Sequence, residues 1–406
     1  MRRRPLIVLV VLACAGALLW PSGAGAAGAS SSPTALLHSI LGSCGLDLRA
    51  GFSHCNLSLL ADASGRPDAA SAPTGYGPPD LVSAYQVPST FSGPSAPTVA
   101  VVDAFDDKTA EADLAVYRAF YDLPACTTAN GCFTKVNQNG VQGSYPKNNQ
   151  GWAVEVSLDL DMVSAICPAC KIVLVEAKNN QNANLYAAVD TAAQLHPGAI
   201  SNSYGGKETK NDPANNVYFN HPGIAITVSS GDSGYGVEYP ASSPDVTAVG
   251  GTTLSRDSSP RGWNETVWSG AGSGCSKYEA KPLWQTDSGC ANRTVADVSA
   301  VADPNTGVSV YDSNCSTLNA LGGKCFDGWG TVGGTSAAAP IIASMYALAG
   351  NAAGFAAAQS TYNHAASLHD VTSGSNGSCG SSYLCTGGPG YDGPTGNGTP
   401  NGIGAF

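Results

Sequence analysis

The sequence predicts an α/β protein with a parallel β-sheet, helices on both faces of that sheet, and disulfide-rich loops. Three observations lead there. Apolar runs of strand length alternate with helix-spaced segments through the middle of the chain, the pattern of βαβ units. Charged residues make up only 12% of the 406 residues, while glycine (49) and proline (25) are abundant, so loops are many. Of 13 cysteines, all but Cys14 lie beyond a leading apolar segment, an even complement of the kind that forms disulfides in an exported chain.

At the start, Arg2, Arg3 and Arg4 precede an uncharged apolar run from Leu6 to Trp20 and then Ala24-Gly25-Ala26. Residues 1–26 therefore read as a signal peptide, short for a membrane span, and the expected destination is extracellular. A lipid anchor on Cys14 is the alternative use of the same segment. Loss of the three arginines takes 19 basic residues to 16 against 30 acidic ones, a net charge of −14. Nucleic acid and anionic membranes are poor partners for such a chain, and a monomer is expected. Residues 27–75 are rich in Ala, Ser, Gly and Pro, with one short helical pattern in TALLHSILGSC. They read as a leader or short arm, with the core expected over 76–406.

Within the core, PTVAVVDAF reads as a buried strand and KTAEADLAVYRAFYDL as a helix. WAVEVSLDLDMVSAIC then reads as a helix, KIVLVEA as a strand and LYAAVDTAAQLH as a helix. AISNSYG follows as a strand, and GIAITVSSGDSG as a strand running into a tight loop. Functional loops of open parallel sheets gather at the carboxyl ends of the strands, which places Asp103, Ser203-Tyr204-Gly205 and Gly231-Asp232-Ser233-Gly234 there. Ala337 to Gly350 reads as a buried helix with Pro340 in its first turn, entered through Gly333-Gly334-Thr335-Ser336. The close spacing of Cys44/Cys55, Cys126/Cys132, Cys167/Cys170, Cys275/Cys290, Cys315/Cys325 and Cys379/Cys385 favours pairing between neighbours, though sequence does not fix connectivity. Cys167 and Cys170 also have the spacing of a redox pair or half a zinc site, but no second half follows.

Ser336 is the candidate nucleophile. It stands where a glycine-rich turn enters a helix, and unpaired N–H groups at a helix start can bind developing negative charge. The same residue could equally be a plain helix cap. A serine nucleophile needs a base, and none of the six histidines stands at the head of a small-residue helix; no G-x-S-x-G elbow is present either. What the chain offers instead is Glu155 and Asp159, one turn apart on one helix face. Paired carboxylates raise each other's pKa, so one can act as base while its neighbour orients it, although an E-x-x-x-D stripe is usually just a solvated face. Asp232 follows an apolar strand in what could be an ordinary Gly/Ser/Asp turn, or could be a neutral carboxyl that donates to an oxyanion.

In order and spacing, Glu155-x-x-Leu-Asp159, Ser230-Gly231-Asp232-Ser233-Gly234 and Gly334-Thr335-Ser336-x-x-x-Pro340 closely resemble the sedolisins, serine-carboxyl peptidases of subtilisin-like fold. The resemblance runs from about Tyr76 to the C-terminus and takes in Asn202-Ser203-Tyr204-Gly205 and Asp297-Val298-Ser299-Ala300. It implies Ser336 as nucleophile, Glu155 as general base, Asp159 as the group orienting Glu155, and Asp232 as a protonated oxyanion donor. Asp103, which occupies the place of the subtilisin aspartate but lacks a histidine partner, reads as structural. The resemblance also implies one structural calcium ion, held by the carboxylates of Asp370 and Asp392 and the carbonyls of Val371, Gly388 and Gly390; alone, this stretch would read as a glycine-rich turn. The implied activity is a secreted endopeptidase, acting on protein or peptide substrates at acid pH. A non-catalytic peptide-binding relative is the alternative, because residues 27–75 are short for the folded prosegment the family carries.

Overall fold

A sheet of eight strands runs through the protein and carries the site at one end of its strands. The computed structural model describes residues 39–42, 44–45, 47, 49–62, 65–67, 69–89, 95–316, 325–380 and 382–406; the expected signal peptide, Cys14 and residues 27–38 lie outside the described residues. In chain order, β1 (Ser39–Gly42), β2 (His54–Cys55) and β3 (Ser58–Ala61) precede helix α1 (Pro78–Tyr85). Next come β4 (Thr98–Ala104), α2 (Ala110–Phe120), β5 (Phe133–Asn137), α3 (Gln150–Ile166), β6 (Lys171–Ala177), α4 (Asn182–Gln194) and β7 (Ala199–Asn202). They are followed by β8 (Tyr204–Lys207), β9 (Ala225–Ser229), β10 (Glu238–Tyr239), β11 (Thr247–Arg256) and β12 (Trp263–Val267). The remainder comprises β13 (Gly274–Ala280), β14 (Asn292–Val295), β15 (Val298–Val301), β16 (Val308–Asp312), β17 (Gly328–Gly333), α5 (Thr335–Ala349), β18 (Leu368–His369) and β19 (Thr399–Pro400).

The main sheet has the order β12-β11-β9-β7-β4-β6-β5, with β15 also beside β11. All its pairings are parallel except β11 with β12. Its central strand β4 buries Val99 to Val102 completely, as a strand covered on both faces requires. Helix α3 buries every residue from Gly151 to Ile166, including its carboxylates, so it is no surface helix with an acidic stripe. Its start is capped by the Asn149 side chain, which accepts from the N–H groups of Gly151 and Trp152.

Three expectations are corrected. The TALLHSILGSC stretch contributes strand β1 where a helix was expected, because antiparallel pairing of Ser39–Gly42 with Ser58–Ala61 outweighs a weak local helical pattern. The segment read as an arm is stitched into the body: Leu57 and Leu59 are buried in the main core, and β3 pairs with β17. Helix α5 begins at Thr335, so Pro340 lies beyond the first turn. Having no N–H, Pro340 cannot bond the Ser336 carbonyl four residues back, and the Ser203 hydroxyl donates to that carbonyl instead, at 3.3 Å. The six disulfides join neighbours as expected. Cys167 and Cys170 are fully buried in theirs, which leaves no thiolates for zinc and no exposed sulfur for exchange.

Candidate active site

Strand β17 ends at Gly333 and the chain turns through Gly334 into α5. Gly334 has φ +98°, and a Cβ there would stand 2.1 Å from the Asn56 carbonyl oxygen and 2.5 Å from Asp232 Oδ2. Only glycine fits both the conformation and the space. Ser336 is the second residue of the helix, where the N–H has no intrahelical partner. That N–H donates to the Asn56 carbonyl at 2.9 Å, and the Ser336 hydroxyl donates to the Ser203 carbonyl at 3.1 Å. Ser336 is fully buried.

Glu155 and Asp159 come from α3, which packs against α5, and both are fully buried. Asp159 Oδ1 accepts from the Ser203 hydroxyl at 2.7 Å, so Ser203 ties α3 to α5. Neither oxygen of Glu155 has a hydrogen-bond partner. Burial, and after it the charges of Asp159 and Asp103, hold the Glu155 carboxyl well above its usual range; the adjacent Ser336 side chain offsets this only in part. Burial and Asp103 push Asp159 the same way, against the pull of Ser203. Asp103, near the end of β4, has both oxygens unpartnered and is pushed up to about 8 by burial and by Asp107. These three carboxyls therefore lose their protons as a group. Sequence reasoning set Asp103 aside for want of a histidine, whereas here its neighbours are the two carboxyls of α3.

Asp232 sits in the loop after β9. Its Oδ1 accepts from the Thr335 N–H at 2.8 Å and the Thr335 hydroxyl at 2.9 Å. Burial pushes the carboxyl up to about 7, with the Thr335 bonds and the Ser58 hydroxyl holding it back. Since Oδ1 is occupied as a double acceptor, a proton on this group belongs on Oδ2, the oxygen that crowds the same Gly334 position as the Asn56 carbonyl. Ser336, Glu155, Asp159 and Asp232 are thus brought together, and among the described residues no histidine is bonded to Ser336. The one nearby, His54, has its Nε2 3.4 Å from Glu238 Oε1.

Packed around Ser336 are residues that sequence reasoning missed. Strand β2 pairs antiparallel with β8, His54 opposite Gly205 and Cys55 opposite Tyr204, and the Asn56 N–H donates to the Ser203 carbonyl at 3.2 Å. The Asn56 amide donates to Ser229 Oγ at 2.9 Å, and Ser58 Oγ donates to Asp232 Oδ2 at 3.1 Å. Their only trace in the sequence was Cys55, as half of an expected disulfide.

Of the expected calcium ligands, Asp392 and Val371 are buried. Asp392 Oδ2 accepts from the Gly388 N–H and Asp370 Oδ2 from the Gly390 N–H. Burial raises the Asp392 carboxyl, the Thr395 and Gly388 bonds pull it back, and the like charge of Asp370 adds to the rise. A second acidic group has the spacing to hold a metal: oxygens of Asp107, Asp113 and Asp312 lie within 4.8 Å of one another, all buried.

The subtilase family profile matches residues 140–380. Kumamolisin of Bacillus sp. (strain MN-32) is 30% identical over 374 residues, covering 82% of this chain and 63% of that protein. Sedolisin of Pseudomonas sp. (strain 101) is 32% identical over 338 residues, covering 70% of this chain and 54% of that protein. The chain thus spans about half to 63% of the lengths of these two relatives. Among solved structures, Pseudomonas sedolisin, a serine-carboxyl proteinase complexed with pseudo-iodotyrostatin, superposes with a TM-score of 0.63 at 26% identity, covering 81% of this chain and 96% of that one.

Proposed function

The chain belongs to the sedolisin family of subtilases, with the family's subtilisin-like fold, and from that premise we propose that it is a secreted serine-carboxyl endopeptidase that hydrolyses protein or peptide substrates at acid pH. The observation that carries the reading is the Ser336 N–H bonded to the Asn56 carbonyl, with Asp232 Oδ2 crowding the same Gly334 position and the buried Glu155 carboxyl adjacent to the Ser336 side chain.

Ser336 Oγ attacks the scissile carbonyl carbon and its proton passes to Glu155; because burial and Asp159 hold this carboxyl well above its usual range, it accepts only where the group formed by Glu155, Asp159 and Asp103 has given up a proton. Asp159, anchored by Ser203, orients Glu155 and shares the charge that develops on it. The oxyanion takes up the Ser336 N–H and the Oδ2 proton of Asp232. Glu155 then protonates the leaving amine, and water repeats the cycle on the acyl-serine ester. Acid pH enters through Asp232, which donates only while protonated and whose carboxyl is pushed up to about 7.

One calcium ion fits the pair Asp370 and Asp392: the buried Asp392 carboxyl is raised in part by the like charge of the exposed Asp370, an arrangement that a divalent cation bound by oxygens relieves. The carbonyls of Val371, Gly388 and Gly390 would complete the shell. Bound there, the ion would supply stability and no chemistry. The direct experiment on function is peptide cleavage by wild type and Ser336→Ala. The variant loses on the order of 10⁴-fold or more in kcat/KM with its melting curve intact; a variant that cleaves at the wild-type rate removes the acyl-serine route.

A further inference from the structure

We propose that the cavity at the carboxyl ends of β4, β5 and β6 is a second binding site, one that takes a carboxylate carried on an aromatic body. None of its residues belongs to the Ser336 site, so the inference stands apart from the peptidase reading.

The cavity has a volume of about 590 Å³, within the span of roughly 300–1,000 Å³ usual for small-molecule sites. Its walls are preformed. Beyond β5 the chain folds back on itself: Asn137 Oδ1 accepts from the N–H groups of Asn139 and Val141, and the Asn137 amide donates to the Ser144 carbonyl at 2.7 Å. This turn brings Tyr145, Pro146 and Lys147 into the lining. The Tyr145 hydroxyl donates to the Lys135 carbonyl at 3.2 Å, and the Lys135 ammonium lies 4.4 Å from the centre of its ring. Another part of the wall is Phe105, just past β4. Its φ of +69° is a left-handed conformation that a bulky residue adopts only where its surroundings enforce it. The Phe105 N–H donates to the Ala177 carbonyl at 2.8 Å, and its half-buried ring packs on Trp152 with centres 6.3 Å apart. Backbone strain of this kind gathers where ligands are held.

Charge selects the ligand. The chain carries a net charge of −11, yet the two lysines lining this cavity, Lys147 and Lys178, are exposed, and their ammonium groups have no hydrogen-bond or ion-pair partner among the described residues. A third lysine, Lys135, is already committed to Asp106 and Glu176. Glu176, fully buried in the lining, accepts from the Asp107 N–H and from Lys135 through Oε1, while Oε2 has no partner. Burial raises this carboxyl to about 9 against the pull of Lys135. At acid and neutral pH Glu176 is therefore uncharged, Asp106 balances Lys135, and the charge left to meet a ligand is positive. A carboxylate can pair with both free ammonium groups while its aromatic part lies against Phe105 and Tyr145.

Such a carboxylate arrives either as a free aryl acid or as the glutamate of a peptide, and the test separates the two sources. In the first arm, calorimetry on the full chain with phenylacetate shows one site, and phenylacetamide binds at least about tenfold more weakly. Lys147→Ala/Lys178→Ala removes that preference with the melting curve intact, since both ammonium groups are exposed and unpaired. Phe105→Gly, which suits the left-handed backbone, weakens binding about tenfold; unchanged affinity there overturns the aromatic wall. In the second arm, a Ser336→Ala chain prevents cleavage, and the anisotropy of a labelled peptide bearing a Phe-Glu pair is compared with that of its Phe-Gln counterpart. A glutamate preference that the lysine variant abolishes identifies a peptide as a source, and a preference for phenylacetate alone identifies a small molecule. Equal binding of acid and amide in both arms, or a preference that survives loss of both lysines, overturns the proposal. A wild-type chain that binds phenylacetate and cleaves no peptide overturns the peptidase reading and leaves this site standing.

Discussion

Asp103 and Asp107 stand four residues apart at the end of β4, both fully buried, and they face different acid clusters. Asp103 acts on Glu155 and Asp159; Asp107 belongs with Asp113 and Asp312. In the second cluster the protein supplies donors. Asp107 Oδ1 accepts from the Thr109 N–H and hydroxyl and from the Asn314 amide, and Asp113 accepts from the Ser313 N–H and hydroxyl. In the first, both oxygens of Asp103 and of Glu155 are bare. The consequence is a carboxyl raised to about 6 at Asp107 against about 8 at Asp103, although burial is the largest cause for each. At equal burial, the donors on Asp107 hold its carboxyl back while the like charge of Asp107 adds to the rise at Asp103, so donors and neighbouring charge together set which of the two keeps its proton longer. The cluster with the bare Glu155 is the one beside the Ser336 side chain.

The sharpest way to break this contrast is to neutralise one acid from each side. Glu155→Gln lowers kcat/KM on the order of 10²- to 10⁴-fold, the usual worth of a positioned base. Asp113→Asn leaves kcat/KM unchanged and costs about 1 kcal/mol of stability, since an amide keeps only part of the Ser313 pairing. Parallel kinetics and melting curves check both, and similar activity losses in the two variants would show the clusters to be one functional unit. Asp232→Asn is subtler. An amide can accept from Thr335 and donate to an oxyanion at any pH, so the fall in kcat/KM expected of wild type as pH rises through about 7 should flatten in the variant. An unchanged alkaline limb would assign the titration to another group.

Stability responds to the same carboxyls. Asp103, Asp107 and Asp232 have folded-state pKa values raised from 3.8 to about 8, 6 and 7. A raised value means that the native state holds the proton more tightly than the unfolded chain. Their contribution is therefore complete below about pH 4 and is lost as pH climbs through about 8. With chelator present, Tm should be highest near pH 4 and decline by several degrees toward neutrality. A Tm that rises over that window would mean that these groups are ionised in the native state.

The alternating strands and helices of the core were legible because each strand is covered on both faces and so reads as an unbroken apolar run. Glu155, Asp159, Asp232 and Ser336 were legible as spaced motifs. What escaped was set by pairing across long separations. Ser39 to Gly42 looks locally helical, and only Ser58 to Ala61 makes it a strand. Nothing near Asn56 announces that its carbonyl meets the N–H of Ser336. The surroundings of Asp103 escaped for a different reason: its neighbours are acids on a helix whose burial an E-x-x-x-D pattern does not reveal.

The smallest effect concerns cations, and it bears on the same comparison. An ion that binds only the native state stabilises it by about 2.7 kcal/mol at a hundred times its Kd, so chelation should lower Tm by about 2–4 °C in a chain of this size. Two acidic groups could be responsible, Asp370 with Asp392 or Asp107 with Asp113 and Asp312. Both carry donors, Gly388, Gly390 and Thr395 on the first and Thr109, Asn314 and Ser313 on the second, so it is the resemblance in sequence that favours the first. Asp370→Asn should therefore abolish the chelator's effect on Tm, while Asp312→Asn leaves it in place. The opposite pattern would move the ion to the Asp107 cluster and make that cluster's donors a metal shell's outer ring.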